Sequence, residues 1–219
     1  MIAFGICAGP SDKVDRFAIP GILCCGEQGA PCVIIRGATS IFEAYNRILD
    51  NLRADDRIEA VALVHDDLCL CDWDFVPKVR GVLTDPDVAV VGAVGARRAS
   101  GLGFLEGTYA EMFGRCMETR GPIRRGGGMH PVDVVDGSFM VLSRWAIENL
   151  RFDTATFHGF HAYDFDICMQ ARSKGRKVMV ADITVFHHCD AGRNNRVILG
   201  EDSDFAMADM SWRAKWGFR

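Results

Sequence analysis

The chain has 219 residues, a length that favours one large domain over two small ones. Hydrophobic residues make up 49% and charged residues 25%, a mix typical of soluble globular proteins, and no run of roughly 18 apolar residues predicts a transmembrane helix. The formal net charge of −4 argues against nucleic-acid binding, which usually needs a basic face.

The first half of the chain alternates uniformly apolar runs with helical patterns. Residues 40–52 give the strongest helix pattern, because apolar side chains recur at helical spacing and Ser40 with Glu43 fits a capping box. The segment 13–23 stays ambiguous, since Pro20-Gly21 weakens a helix there. The predicted strands are residues 2–8, 31–37, 58–65 and 87–96. This alternation indicates an α/β domain with a mostly parallel central sheet that is covered on both faces.

The middle of the chain, residues 97–130, is rich in glycine and arginine and shows no periodicity. Long loops are expected there, either functional binding loops or a plain surface insertion. Their arginines either clamp phosphate or are merely solvated. The arginines in question are Arg97, Arg98, Arg124 and Arg125.

Regular patterns return after residue 130. The predicted elements are a strand, a turn at Asp136-Gly137, a second strand, helices from about Arg144 and Tyr163, and a strand that ends at His187-His188. Gly175 is expected to end the second of these helices. The tail predicts an amphipathic helix, in which Trp212 and Trp216 either stack on a sugar ring or, as we favour, pack in the core or in a homodimer.

The nine cysteines do not suggest a disulfide framework. Their number is odd, and several lie inside apolar runs, as Cys7, Cys32 and Cys168 do. We therefore expect reduced thiols and a cytoplasmic location, since the amino-terminal run also lacks the basic start of a signal peptide. Cys189 is the exception to follow, because it stands next to two histidines.

Three polar clusters lie where apolar elements end. They are His65-Asp66-Asp67, His161 with Asp164 and Asp166, and His187-His188. Ligands of open α/β sheets bind outside the carboxyl ends of the strands, so two of the clusters fall at an expected binding edge. Imidazole with carboxylate suits a divalent cation such as Mn²⁺ or Mg²⁺. Each cluster alone is also explained by solvated loop residues or a helix cap, but their coincidence favours a site.

The order of these motifs resembles a known family. A helix with Tyr45-Asn46, then "HDD", "VDGSFMV" and "FHGFHAYDFDICMQARSKGRKV", and a strand ending in His is similar to the family 2 glycosyltransferases of GT-A fold, in particular their small bacterial, StrF-like subgroup. The resemblance runs from about Ile34 to His188. It implies a Rossmann-like three-layer domain, with residues 1–96 as the nucleotide-binding half and residues 97–219 as the acceptor half with a helical tail.

The resemblance implies a nucleotide-diphosphate sugar held through a divalent metal. Asp67 matches the last acid of the family's Asp-x-Asp motif and His187 its late histidine, with His188 as the alternative, so these are the expected metal ligands. His65 replaces the first acid, and it either binds the metal or contacts the nucleotide. The other residues expected on the nucleotide side are Asp66, Asn46, Arg36 and Ser40.

On the acceptor side, the resemblance assigns the catalytic base to Asp164. Asp166 is the second candidate, or a supporting residue that orients the helix start. Asp136 and Gly137 match the motif that binds acceptor hydroxyls, although Asp-Gly is also an ordinary turn. His161 is expected to line the same pocket.

The resulting hypothesis is a metal-dependent, inverting transfer of a sugar to an acceptor hydroxyl. One alternative is a metal-dependent phosphoester hydrolase that uses His65, Asp66, Asp67, His161 and His187 to activate water. The other is a non-catalytic protein that only binds sugar nucleotides.

Overall fold

The computed structural model describes residues 1–103, 111–119, 121–125, 127–189 and 202–218. The strands are β1 (Ile2–Ala8), β2 (Cys32–Arg36), β3 (Ala60–His65), β4 (Leu68–Leu70), β5 (Val88–Gly92), β6 (Val94–Arg97), β7 (Glu111–Glu118), β8 (Gly121–Arg125), β9 (His130–Val132), β10 (Val134–Val135), β11 (Phe139–Ser143), β12 (Lys177–Val180) and β13 (Val185–His187). The helices are α1 (Ile19–Cys25), α2 (Ile41–Arg53), α3 (Phe75–Leu83), α4 (Arg144–Asn149), α5 (Tyr163–Ser173) and α6 (Ser203–Trp216).

The first sheet has seven strands in the order β2-β1-β3-β11-β5-β12-β9. Strand β1 pairs in parallel with β2 and β3, and β12 pairs in parallel with β5. Strand β11 runs antiparallel to both β3 and β5, and β9 runs antiparallel to β12. The first sheet is therefore mixed: β11 and β9 run against the other five strands. The α/β class is present, but a mostly parallel sheet is not confirmed, because uniform apolarity reports burial of both faces and carries no information on strand direction.

The second sheet has the strand order β10-β6-β7-β13-β4, with β8 paired to β7. Two apolar runs supply a strand to each sheet. The run 87–96, predicted as one strand, separates at Ala93 into β5 and β6, and the run 177–188 separates into β12 and β13. Both runs thus lead from the first sheet to the second.

The prediction of long loops over residues 97–130 is wrong for the two segments that form β7 and β8. Strand β7 lies between β6 and β13 and also pairs with β8, so backbone pairing with its neighbours holds it in the sheet. Such pairing needs no apolar alternation, which explains why the sequence pattern missed it. Residues 104–110 lie outside the described part of the chain.

Alternate residues of the first sheet point into two different hydrophobic cores. Val61 and Leu63 of β3 pack in the core that contains α2, α4, α5 and Trp212 of α6, and the intervening Ala62 and Val64 pack with α1 and α3. The sheet is thus covered on both faces, as its uniformly apolar strands predict. None of the described helices is long and apolar enough to cross a membrane.

Local helix signals are only partly confirmed. Helix α2 starts after Ser40, but the Ser40 side chain makes no capping hydrogen bond, so the predicted capping box is wrong. Helix α5 ends before Gly175, whose φ of +74° places it in the left-handed region that favours glycine. The ambiguous segment 13–23 is helical: a π-helical turn over Val14–Ala18 leads directly into α1. Pro20 fits there because the first turn of a helix needs no amide donor from it.

Candidate active site

Two strand ends meet at the corner that we call the donor corner, formed by His65, Asp67 and His187. Strand β3 ends at His65, and Asp67 follows in the turn to β4. Antiparallel pairing of β13 with β4 sets His187 opposite Leu68, directly after Asp67. His187 Nε2 consequently lies 3.2 Å from Asp67 Oδ1. His65 Nδ1 lies 4.0 Å from the same oxygen.

The neighbouring histidine, His188, faces elsewhere. Its ring stacks on Phe17 with a centroid distance of 3.7 Å and also contacts Phe186. Its backbone N–H donates to the Asp67 carbonyl at 2.8 Å. Adjacent strand residues point to opposite sides, so the geometry favours His187 over His188 as the ligand.

The charges at the donor corner stabilise one another. Burial alone raises the pKa of Asp67, but its hydrogen bond with His187 and the nearby positive charges outweigh burial and hold that pKa well below its usual value. Lys13 Nζ contributes to this, at 3.1 Å from Asp67 Oδ2. For His187, burial lowers the pKa, whereas the bonds to Asp67 and to groups on its other side raise it to about 12. The pKa of His65 is lowered, first by burial and then by the charge of His187.

The ligand atoms of the donor corner suit a divalent cation. One oxygen and two imidazole nitrogens lie within 4.8 Å of one another, and all three side chains are partly buried. Imidazole with carboxylate is a donor set that Mn²⁺ accepts readily and Mg²⁺ less so. The residues present therefore fit the metal that the sequence predicts.

The opposite side of the His187 ring faces two further residues. Cys189 Sγ lies 3.2 Å and Glu118 Oε1 lies 3.6 Å from His187 Nδ1. Parallel pairing of β13 with β7 sets His187 opposite Glu118. Sequence reasoning missed Glu118, which falls in the segment expected to be a loop, and Lys13, which falls in the ambiguous segment. Neither residue carries a local signal, because strand pairing and the π-helical turn bring them to His187 and Asp67.

Asp164 lies in the first turn of α5, beside the turn that follows β10. Its Oδ2 accepts a hydrogen bond from the Gly137 N–H at 2.8 Å, and its Oδ1 accepts one from the Phe165 N–H at 3.0 Å. Burial, followed by the negative charge of Asp136, raises the pKa of Asp164 to about 7. A carboxyl group with such a pKa exchanges protons efficiently near neutral pH, as a general base must.

The residue before Asp164, the candidate base, connects it to the donor corner. Tyr163 Oη lies 2.6 Å from His65 Nε2. Gly137 makes room for this tyrosine, since a Cβ at position 137 would lie 2.3 Å from Tyr163 Oη. The three clusters that the sequence singled out are therefore linked: Asp67 contacts His187, and Tyr163, the neighbour of Asp164, contacts His65.

Other predicted site residues are occupied by contacts within the protein. On the nucleotide side, Asp66 Oδ2 accepts from the Gly9 N–H at 2.8 Å, and Arg36 lies 3.4 Å from Asp15 on the surface. Asn46 donates to the Phe152 carbonyl at 2.8 Å and accepts from the Phe152 N–H at 3.0 Å. Both polar ends of Asn46 thus bind the backbone, which favours a structural role over nucleotide contact.

Two acceptor-side residues also have partners inside the protein. Asp136 Oδ1 accepts from the Ser138 N–H at 2.9 Å, as expected of a turn residue. His161 faces the start of α6, with its Nε2 3.8 Å from Asp202 Oδ2 and its ring edge-on to Phe205. The structure thus separates His161 from the donor corner. The five-residue cluster that a hydrolase would need is not assembled, because Asp66 and His161 turn away from the other three.

Asp166 anchors the carboxyl-terminal helix. It is 1% exposed and binds Lys215 Nζ at 2.7 Å, Trp216 Nε1 at 2.9 Å and Gln170 Nε2 at 2.7 Å. These contacts favour the supporting role over that of a second base. Trp212 is fully buried and stacks on Phe218, so the favoured prediction of core packing is confirmed for this tryptophan.

The loop arginines show no common phosphate clamp in the described region. Arg97 Nε donates to the Pro131 carbonyl at 2.7 Å, and its guanidinium covers the Phe113 ring. The backbone N–H of Arg98 donates to Asp133. The side chains of Arg124 and Arg125 lie outside the described part of the chain.

A sequence model for a family described as "Glycosyltransferase like family" matches residues 23–196, most of the chain. The chain belongs to this family. The glycosyltransferase is also 30% identical over 191 residues to the streptomycin biosynthesis protein StrF of Streptomyces griseus, an alignment that covers 87% of this chain and 67% of StrF. The expected resemblance is therefore confirmed, and the non-catalytic alternative is no longer favoured.

Solved structures show the same fold at low sequence identity. The mannosyltransferase PcManGT of Pyrobaculum calidifontis, in complex with GDP-Man and Mn²⁺, is 11% identical with a TM-score of 0.63, covering 98% of this chain and 63% of its own. GalNAc-T7 with UDP, GalNAc and Mn²⁺ is 8% identical with a TM-score of 0.57, covering 86% and 44%. The glycosyltransferase thus spans less than two thirds of either enzyme. A197 from STIV is 14% identical with a TM-score of 0.58, covering 87% of both chains.

Proposed function

We propose that the glycosyltransferase is metal-dependent and inverting, and that it transfers a sugar from a nucleotide-diphosphate sugar to an acceptor hydroxyl. One observation supports the proposal above all: the Tyr163–His65 hydrogen bond links the helix start that carries Asp164 to a corner that offers cation ligands. A sugar transferase needs both parts at one place, because the leaving diphosphate and the attacking hydroxyl flank a single anomeric carbon.

His65, Asp67 and His187 would hold the donor through a divalent cation, Mn²⁺ or Mg²⁺. When bound, such a cation supplies positive charge that neutralises the leaving diphosphate. Lys13 adds a fixed ammonium beside Asp67. Two structures of the same fold support this assignment, since PcManGT was solved with GDP-Man and Mn²⁺ and GalNAc-T7 with UDP and Mn²⁺.

Asp164 would accept the proton of the acceptor hydroxyl while that oxygen attacks the anomeric carbon. The bond from the anomeric carbon to the diphosphate oxygen breaks in the same displacement, so the configuration inverts and no covalent enzyme intermediate forms. The Gly137 N–H and the Phe165 N–H hold the carboxylate in place. Both donors stabilise the charged form, so Asp164 can ionise near neutral pH although it is withdrawn from water.

The assignments of the two halves and of the substrate contacts belong to the same proposal. We keep residues 1–96 as the nucleotide half and residues 97–219 as the acceptor half, with Asp136 and Gly137 nearest to the acceptor because they adjoin Asp164. Nucleotide contacts of Asp66, Arg36 and Asn46, and an acceptor contact of His161, would each require the side chain to leave its present partner. A cytoplasmic location and a homodimer remain predictions.

A panel of nucleotide sugars with Mn²⁺ tests the proposal directly. We expect at least one UDP- or GDP-sugar to raise the unfolding temperature in the presence of Mn²⁺, and expect Asp67→Asn to remove most of that rise. With an acceptor, proton NMR of the product should show the inverted anomeric configuration. Absence of a shift for every donor, or retention of configuration, would refute the proposal.

A further inference from the structure

A second group of metal-ligating atoms surrounds the side of His187 that faces away from the donor corner. We call this group the thiol cluster; it consists of Glu118 Oε1, His187 Nδ1 and Cys189 Sγ, which lie within 4.8 Å of one another. Glu118 is held on β7, His187 ends β13, and Cys189 follows two residues later. The cluster is partly buried, with 10% of the Glu118 side chain and 16% of the His187 side chain exposed.

The chemistry of the thiol cluster differs from that of the donor corner. Thiolate with imidazole and carboxylate selects borderline and soft ions such as Zn²⁺, whereas the donor corner offers only nitrogen and oxygen atoms and no thiolate. Three protein ligands with one open position are also the usual composition of accessible zinc sites. We propose that Glu118, His187 and Cys189 form a zinc site that competes with the donor corner for the His187 ring.

Competition follows from the single lone pair of a neutral imidazole. When Nε2 serves the donor corner, Nδ1 carries the proton and donates to Glu118, 3.6 Å away. When Nδ1 binds zinc, Nε2 carries the proton and donates to Asp67, 3.2 Å away. In each state one carboxylate is a ligand and the other orients the ring, an arrangement that raises the basicity of metal-bound histidines. Zinc binding releases the thiol proton of Cys189 and the proton on His187 Nδ1 to solvent.

Cobalt(II) reports the thiolate ligand directly. Titration of the purified chain with Co²⁺ should produce a near-ultraviolet thiolate-to-cobalt charge-transfer band that Cys189→Ser removes. Cys24→Ser, which replaces an exposed cysteine on α1, should retain the band. Lack of the band in the unmodified chain, or its full retention in Cys189→Ser with an unchanged unfolding temperature, would overturn the site.

Alkylation provides a residue-resolved measurement on the unmodified chain. Zn²⁺ should slow iodoacetamide modification of Cys189 by about tenfold or more, measured by mass spectrometry of the peptide that carries it. Cys24 in the same sample serves as the control, since it is exposed and its rate should not change. Equal rates for Cys189 with and without zinc would contradict the proposal.

The competition itself rests on the proposed donor function and needs its own measurement. Zn²⁺ should weaken the thermal shift caused by Mn²⁺ with a nucleotide sugar in the unmodified chain, and do so much less in Cys189→Ser. A Cys189-dependent cobalt band without this competition would refute the shared ring but leave the zinc site in place. Failure of every nucleotide sugar to bind would refute the donor function, while the cobalt band and the alkylation rates would still test the site.

Discussion

Tyr163 Oη lies 2.6 Å from His65 Nε2, so one hydrogen bond joins the start of α5 to the end of β3. The sequence resemblance also sets His65 in place of the first acid of the family's Asp-x-Asp motif. The other nitrogen of His65, Nδ1, faces Asp67. If Tyr163 Oη accepts a hydrogen bond from His65 Nε2–H, the Nδ1 lone pair is free for the cation. The tyrosine then sets the tautomer that a metal ligand requires.

Replacing Tyr163 by phenylalanine should weaken cation binding. Loss of the hydroxyl leaves His65 Nε2 without its orienting partner, and loss of such a partner typically costs about tenfold or more in metal affinity. We also expect about 1 kcal/mol less unfolding free energy. Isothermal titration with Mn²⁺ and urea unfolding measure the two effects.

Tyr45→Phe is the matched control for Tyr163→Phe. The Tyr45 hydroxyl is buried and has no hydrogen-bond partner among the described residues. Its removal should therefore raise the unfolding free energy by up to about 1 kcal/mol. An unchanged Mn²⁺ affinity in Tyr163→Phe, with the control behaving as expected, would remove Tyr163 from the support of the donor corner.

Asp164→Asn should abolish transfer while nucleotide-sugar binding stays nearly intact. The amide keeps the shape of the side chain but cannot take the hydroxyl proton, and the loss of a general base costs roughly 10²–10⁴-fold in kcat. Steady-state kinetics and donor titration separate the two quantities. Asp56→Asn is the control, because this carboxylate is fully exposed and its ion pair, with Arg144, lies on the surface. Turnover retained in Asp164→Asn would exclude this residue as the base.

The rate should rise with pH through about 7, because the proposed base, Asp164, would act only in its ionised form and its pKa is raised to about 7. The same raised pKa means that the folded chain binds a proton more tightly than the unfolded chain. The contribution of Asp164 to stability is therefore lost as pH rises from about 4 to 7. Asp136→Asn should shift the acid limb of the rate profile to lower pH, since it removes a negative charge that raises the pKa of Asp164.

Two measurements check these signs. The pH dependence of kcat/KM should show one ionisation near 7, displaced downwards in Asp136→Asn even where the absolute rate falls. Urea unfolding gives the free energy of unfolding of Asp164→Asn and of the unmodified chain at both pH values. The difference between the two proteins should change in favour of the variant by on the order of 2 kcal/mol from pH 5 to pH 8. An acid limb that stays in place in Asp136→Asn would mean that another group controls the rate.

The sequence predicts the positions of the strands and helices well, but not how the strands pair. β3 and β11 are both uniformly apolar, yet they run antiparallel, and direction is set by where the chain enters the sheet rather than by residue type. Strand pairing also explains why β7 was expected to be a loop. It is held by pairing with β6, which precedes it in the chain, and with β13, which follows much later.

The candidate site divides in a similar way. Asp67, Asp164 and His187 stand at element ends that local patterns reveal, so the sequence could nominate them. Lys13 and Glu118 contact Asp67 and His187 only through the tertiary structure, 54 residues away in the case of Lys13 and Asp67. Asn46 is the opposite case. The motif suggested a nucleotide contact for it, but its side-chain amide binds the Phe152 backbone.

Asp166→Asn should destabilise the fold without acting on donor binding. The substitution removes the charge that pairs with Lys215, and it weakens the acceptor of the Trp216 indole inside the protein. Lys215 keeps its second partner, Asp153 at 2.7 Å, so we expect a loss of about 2 kcal/mol rather than the full cost of an unpaired buried charge. Urea unfolding and faster hydrogen exchange over residues 203–218 measure the effect.

Asp204→Asn is the matched control for Asp166→Asn, since Asp204 lies exposed in the first turn of the same helix. Loss of its charge should cost less than about 1 kcal/mol, the usual size of an interaction with the helix dipole. If Asp166→Asn instead lost transfer at unchanged stability, Asp166 would be a catalytic residue and not the anchor of α6.

Gly137→Ala should disrupt both parts of the site at once. An added Cβ would meet Tyr163 at 2.3 Å from Oη and 2.5 Å from Cζ, so the ring must move away from His65. The amide of residue 137 also holds Asp164, which makes a backbone shift costly to the base. We expect a loss of about 1–3 kcal/mol in unfolding free energy and a fall in both Mn²⁺ affinity and kcat.

Gly81→Ala is the control for this substitution, because a Cβ there meets no atom within 4 Å. Gly81 lies inside α3, where alanine should stabilise the helix by roughly 0.5–1 kcal/mol and leave catalysis unchanged. If Gly137→Ala retained full Mn²⁺ affinity and kcat, the contact between Tyr163 and the 136–138 turn would not be what couples the base to the donor corner.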